Sequence, residues 1–285
     1  MKINVLSPQG YCGGVKHAIE IVNKVINDPN TKKPIYLLGQ IIHNEHVINE
    51  IKSKGVIVLE GKSKLELLDS INSGTIIFSA HGVAPIIYEK AKEKGLNIVD
   101  ATCSNVLIVH KKIKEFLDLN YDIIYIGSPK HPESEGVLGI SNKIHFISNI
   151  DDINNLNINN KNIYITNQTT LSMFDINEYF DLLKSKYPTS IIEDKICRAT
   201  TVRQEAVAYQ EKVDLCIVVG DKMSSNSKKL AKVSNEIAKI KTIFCEDLKS
   251  LDKNELIGIN SVSITSGAST PEYITKEIIE YLKTL

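Results

Sequence analysis

Tryptophan is absent from the 285 residues, and the five cysteines include no C-x-x-C pair. An odd set of dispersed thiols does not build a disulfide framework, so the expectation is reduced cysteines in a soluble, cytoplasmic chain. Charge of one sign is missing too, because Lys plus Arg and Asp plus Glu number 34 each. Zero net charge removes the electrostatic case for nucleic acid or an anionic membrane as partner. No apolar run reaches the roughly 18 residues of a membrane span. The chain opens Met-Lys-Ile-Asn-Val-Leu-Ser-Pro, a short strand running straight into a cysteine motif, so no cleavable leader is expected. What remains is a chain 42% hydrophobic, enough for one large core or several small ones.

Short β-branched runs alternate with helical periodicity throughout, the pattern of α/β units with mostly parallel sheets. Landmarks recur about every 90 residues: Cys12, Cys103 and Cys197, and the strand-ending glycines Gly39, Gly127 and Gly220. That period is too long for a solenoid and suits three small α/β domains around a pseudo-threefold axis. The expected divisions are residues 14–102, 103–196 and 197–285, with 1–13 joining the third. Helices are expected over 105–119, 199–212, 228–239 and 272–282, and the Asn-rich stretch 149–160 reads as a loop.

Each of the three spaced cysteines stands immediately before a helix. Cys12 lies in Gly10-Tyr-Cys-Gly-Gly-Val15, where glycines let backbone approach a bulky group. A thiolate is favoured at a helix N-terminus. Cys216 and Cys245 sit inside apolar strands and read as core. Asp100 and Asp194, each three residues before a cysteine, either orient the following turn or cap the helix, and Gln9 holds that position in the first repeat. Three thiolates from three domains could hold zinc with a fourth ligand, or an iron–sulfur cluster with one iron lacking a protein ligand. The missing close-spaced pairs favour the cluster, a central iron–sulfur site suited to reductive chemistry on an oxygen-bearing substrate.

In open α/β sheets ligands bind beyond the carboxyl ends of the strands. The residues there are His43, His81, His131, Glu133, Gln168, Thr169, Ser224, Asn226 and Ser269. Ser224-Ser225-Asn226-Ser227 precedes a helix, which makes an N-cap and an anion site from one stretch, and Ser269 before Pro271 repeats the arrangement. The histidines add donors whose charge adjusts to a phosphate. Glu133 reads as the only carboxylate among these loop ends and hence as the general acid.

Together these motifs resemble the 4-hydroxy-3-methylbut-2-enyl diphosphate reductase (LytB/IspH) family over essentially the whole length. The carriers are Gly10 to Val15, Ile41-Ile-His43-Asn44, Ser79 to Gly82, Asp100 to Cys103, His131-Pro-Glu133, Thr166 to Ser172, Ile196 to Gln204, Ser224 to Ser227 and Gly267 to Glu272. The resemblance implies one 4Fe–4S cluster on Cys12, Cys103 and Cys197 with the fourth iron open to substrate. It implies a diphosphate folded onto His43, His81, His131, Ser224, Ser225, Asn226 and Ser269, with Thr169 and Glu133 relaying protons. Ferredoxin or flavodoxin would deliver two electrons singly, giving isopentenyl and dimethylallyl diphosphate at the last step of the non-mevalonate isoprenoid pathway. Departures from the family pattern are Gly13 for alanine, Ser104-Asn105 for Pro-Leu, Arg198 for an aromatic and Val202 for asparagine. Ser104 and Arg198 adjoin cysteines and bear on cluster potential and exposure. Competing classes are a non-enzymatic iron–sulfur redox sensor and a zinc-dependent diphosphate hydrolase.

Overall fold

The first strand of the chain, β1 (Lys2–Val5), pairs not with its sequence neighbours but with the last strand, running parallel to it with Lys2 opposite Ser261 and Val5 opposite Ile264. The computed structural model describes residues 1–285. After β1 and helix α1 (Gly13–Asn27) comes a sheet of β2 (Ile35–Leu38), β3 (Ile57–Leu59), β4 (Thr75–Phe78) and β5 (Asn97–Asp100). Its helices are α2 (Glu45–Ser53), α3 (Lys64–Asp69) and α4 (Pro85–Glu93). Helix α5 (Ser104–Asp118) leads to a second sheet of β6 (Asp122–Ile126), β7 (Ile144–Ile147), β8 (Ile163–Asn167) and β9 (Ile191–Ile192). Its helices are α6 (Pro132–Leu138), α7 (Ile150–Asn155) and α8 (Met173–Lys186). Helix α9 (Arg198–Ala208) opens the third, with β10 (Leu215–Val219), α10 (Ser225–Glu236), β11 (Thr242–Cys245), β12 (Ser261–Ser266) and α11 (Glu272–Leu282).

All three sheets are four-stranded and wholly parallel, in the orders β3-β2-β4-β5, β7-β6-β8-β9 and β11-β10-β12-β1. The central strands carry continuous apolar runs because helices cover both of their faces. Alternate residues therefore feed two half-cores. Leu37 and Ile77 pack on Val15, Ala18 and Val22 of α1. Leu38, Ile76 and Phe78 pack on the α3–α4 side. The second sheet divides in the same way, as does the third, where Cys245 and Cys216 sit buried in opposite half-cores. No helix is long and apolar enough to cross a membrane.

Three local expectations are corrected. Residues 150–155 of the Asn-rich stretch form α7 rather than loop. The Asn149 side chain accepts the Asp152 amide at 3.0 Å and Asp152 accepts the Asn149 amide at 3.1 Å, a reciprocal cap that composition alone hides. Helix α10 begins at Ser225, three residues before the expected start, so Ser225, Asn226 and Ser227 occupy its first turn. A helix absent from the sequence reading, α6, starts at Pro132 and carries Glu133 in its first turn.

Candidate active site

Each sheet hands one cysteine to the centre by the same device. The fourth strand in each order (β1, β5 or β9) runs into a short turn, and the cysteine follows as the N-cap residue of α1, α5 or α9. Its backbone amide is held by the loop after the neighbouring strand. Cys12 donates to the Ala268 carbonyl at 3.1 Å, Cys103 to that of Ala80 at 3.0 Å, and Cys197 to that of Thr169 at 3.0 Å. None of the three side chains caps its helix by a side-chain bond and none is in a disulfide; the Cys197 sulfur lies 3.2 Å from Thr200 Oγ1.

Asp100 and Asp194 settle as turn-orienting residues rather than helix caps. Asp100 accepts the Thr102 amide at 3.0 Å and Asp194 accepts that of Ile196 at 2.7 Å, while Gln9 donates to the Ile264 carbonyl at 3.1 Å. Gly14 shows why this turn has no side chain. A Cβ there would lie 2.5 Å from the Cys103 sulfur and 4.0 Å from that of Cys12. Around Gly13 a Cβ meets nothing within 4 Å. Arg203, which the sequence reading assigned no role, is 3% exposed and donates to the Gly10 carbonyl at 2.7 Å and the Ala199 carbonyl at 3.0 Å. It thus ties the loops of Cys12 and Cys197 together.

The three sulfurs open into a cavity of about 320 Å³ whose wall includes Cys12, Cys103, Cys197, His43, His81, His131, Glu133, Thr169, Ser224, Ser225, Asn226 and Ser269, all the expected site residues but Gln168. No lysine or arginine lines it. Gln168 stays outside as a brace, its carbonyl accepting the Ser128 amide at 2.8 Å and its amide donating to Thr170 Oγ1 at 2.8 Å.

The histidines form a triangle with ring centroids 4.5 to 5.6 Å apart and ligand atoms within 4.8 Å of one another. That spacing suits several oxygens of one anion, or a divalent cation. Burial lowers all three pKa values, and the neighbouring rings lower those of His81 and His131 further, with His131 at about 3. His131 Nδ1 accepts the Glu133 amide at 3.1 Å, so the neutral ring carries its proton on Nε2.

Ser224 caps α10 by accepting the Ser227 amide at 3.3 Å. Ser269, expected to repeat this arrangement, does not cap α11, whose N-cap is Pro271; its hydroxyl donates to the His43 carbonyl at 3.0 Å. The Asn226 amide, 5% exposed, has neither its oxygen nor its nitrogen paired, and His43 Nε2 is also without a partner. Buried polar atoms left so cost free energy unless a ligand completes them.

Glu133 is 1% exposed. It accepts the Thr169 amide at 2.8 Å and the Thr169 hydroxyl at 3.0 Å, yet burial outweighs both bonds and pushes its pKa up to about 7. Glu133 is not the only carboxylate at a strand end. Asp221 follows β10 and Gly220, is buried, and accepts the amides of Met223 at 2.6 Å and Glu45 at 3.1 Å. Its place after a strand-ending glycine was the available signal, but it serves as a structural acceptor at the start of α2 and does not line the cavity.

Fold and site together define a class: three parallel-sheet α/β units that converge three thiols, one buried carboxyl and a set of neutral anion donors on one cavity. The model of the LytB protein family matches residues 3–283, and the chain belongs to that family. It is 46% identical over 99% of its length to the 4-hydroxy-3-methylbut-2-enyl diphosphate reductase of Geobacillus kaustophilus, covering 90% of that protein. Identity to the protein of the same name from Bacillus cytotoxicus is 47% with the same coverage. Among solved structures, the E-1-hydroxy-2-methyl-but-2-enyl-4-diphosphate reductase of Plasmodium falciparum superposes with a TM-score of 0.92 at 36% identity, over 99% of this chain and 88% of that one. A second structure, described as the terminal enzyme of the non-mevalonate pathway, gives 0.68 at 28% identity over all of both chains.

Proposed function

We propose that this chain reduces (E)-4-hydroxy-3-methylbut-2-enyl diphosphate to isopentenyl and dimethylallyl diphosphate. Two electrons and two protons enter, the carbon–oxygen bond of the hydroxyl breaks, and water leaves. The observation that carries this reading is the whole-length likeness to reductases of that name in a chain whose three cysteines, three histidines, Glu133 and Thr169 line one cavity.

The three cysteines fit a 4Fe–4S cluster. They are free thiols on three separate loops, and Gly14 leaves the space beside Cys103 that a side chain would fill. Bound by Cys12, Cys103 and Cys197, the cluster supplies single electrons and an iron without a protein ligand. His43, His81 and His131 donate ring N–H groups to the diphosphate, joined by the hydroxyls of Ser224 and Ser225, the amide of Asn226, and the Ser269 hydroxyl once it turns from the His43 carbonyl. Neutral donors suit a closed cavity, where unpaired cations would be costly before substrate arrives. Glu133 holds a proton near neutral pH, and the Thr169 hydroxyl at 3.0 Å passes it toward the departing hydroxyl. Ferredoxin or flavodoxin in the cytoplasm serves as electron donor in this reading.

A redox sensor needs neither the buried Glu133–Thr169 pair nor the anion donors. A zinc hydrolase could use the histidine triangle, but would leave three converging thiols without a task. Glu133→Gln is the direct test of the proton route. Iron and sulfide stay near about four each per chain, while turnover with an artificial electron donor falls by about 100-fold or more. Full activity in that variant contradicts the assignment.

A further inference from the structure

The inner cavity presents an approaching diphosphate with no lysine or arginine, and the chain as a whole carries no net charge. Long-range attraction must therefore come from local charge outside the cavity. A second cleft of about 400 Å³ shares His43, His131 and Ser225 with the inner cavity. Its wall holds Lys130, Lys228, Lys229 and Lys232 and no carboxylate. Lys229 and Lys232 are compensated by Asp175 at 3.7 and 2.8 Å, and Lys232 also by Glu236 at 3.6 Å. Lys130 and Lys228 are exposed and enter no ion pair.

Both free lysines sit on segments that carry site residues, Lys130 on a loop and Lys228 in the first turn of α10. Lys130 directly precedes His131 and is fixed at a φ of 59° in the loop after β6. Lys228 closes the first turn of α10, its amide bonded to the Ser224 carbonyl at 3.1 Å, two residues beyond Asn226. The charge of Lys228 is felt at both His43 and His131.

Resting on the proposed function, we infer that this cleft is the approach to the active site, where Lys130 and Lys228 capture the substrate's diphosphate and pass it to His43, His131 and Ser225. The division of labour is physical. A solvated lysine at the mouth stays charged without desolvation, whereas an unpaired cation inside the cavity would bear the full cost of leaving water. Low-dielectric walls focus the field of the mouth lysines, and salt limits its reach to about 8 Å at physiological ionic strength. Charges at a rim act on association rather than on the bound state.

Stopped-flow binding of inorganic diphosphate and of the hydroxy-diphosphate substrate to the anaerobic holoenzyme tests this, from about 20 to about 200 mM salt. In Lys130→Met/Lys228→Met, association at low salt slows by about 5- to 30-fold and its salt dependence flattens, with dissociation within about twofold of wild type. Turnover at saturating substrate is unchanged. Lys228→Glu slows association further, and Lys228→Arg restores it. Unaltered association rates and salt slope overturn the inference, as does a defect confined to dissociation. A loss seen only with an acidic protein electron donor, and not with a small artificial reductant, overturns it too and assigns the cleft to the donor. Failure of wild type to bind either diphosphate would instead defeat the proposed function itself.

Discussion

Burial sets the chemistry of the individual side chains here. Glu133 has the raised pKa of a carboxyl removed from water, at about 7. Its protonated form therefore dominates below that pH and is lost above it. Turnover with a small reductant should be level on the acid side and decline by about tenfold per pH unit above about pH 7, and Glu133→Gln should lack that limb. The histidines shift the other way and are neutral at pH 7, held so by burial and, for His81 and His131, also by their neighbouring rings. An anion among them reverses the balance, so diphosphate binding near neutral pH should take up protons. Calorimetry in two buffers of different ionisation enthalpy measures this uptake, and a buffer-independent heat would contradict it. The sequence shows these residue types at strand ends, which is why the cysteines, histidines and Glu133 could be singled out. Their burial depends on loops from three units meeting, and no local pattern encodes that. Asp221 shows the limit: it directly follows the strand-ending Gly220, while Ser224 holds the four-residue offset at which His43 and His131 follow Gly39 and Gly127, and Asp221 accepts a helix amide from another unit.

At the scale of elements, the turn into α1 separates two adjacent glycines with different tasks. Gly13 occupies open space, so its departure from the family's alanine has no packing cause; Gly13→Ala should leave iron binding intact and raise stability by at most about 1 kcal/mol. Gly14→Ala should displace Cys103 and reduce iron incorporation while circular dichroism stays that of the wild type, because the added Cβ falls 2.5 Å from the sulfur. Equal iron content in the two variants would contradict this reading of the turn. Helix periodicity was legible in α1 and α11, whose apolar stripes are long and regular. It was hidden in α7, a short helix in which asparagine acts as a cap instead of a loop residue, and in α6, which holds one turn or two behind a proline.

Across the whole molecule the three units are joined by exchanges rather than by linkers. Strand β1 completes the sheet of the C-terminal unit, Arg203 of α9 grips the Gly10 loop, and Asp221 reaches the first residue of α2. Asp221→Ala should lower stability by about 1 kcal/mol through loss of that charge-assisted bond. A thermal melt identical to that of wild type would show the contact to be idle. The threefold plan was readable because cysteines and strand-ending glycines repeat with one period. Parallel sheets were readable as well, from apolar strands alternating with helices, whereas the order of strands within each sheet and the way each fourth strand aims a cysteine inward are tertiary facts with no local pattern. At this scale all the parts serve one reaction, and the most direct test is anaerobic incubation of the reconstituted protein with the hydroxy-diphosphate substrate and a small reductant. The account predicts isopentenyl and dimethylallyl diphosphate with two electrons consumed per molecule formed; release of inorganic diphosphate without electron consumption, or no conversion by a fully loaded protein, would contradict it.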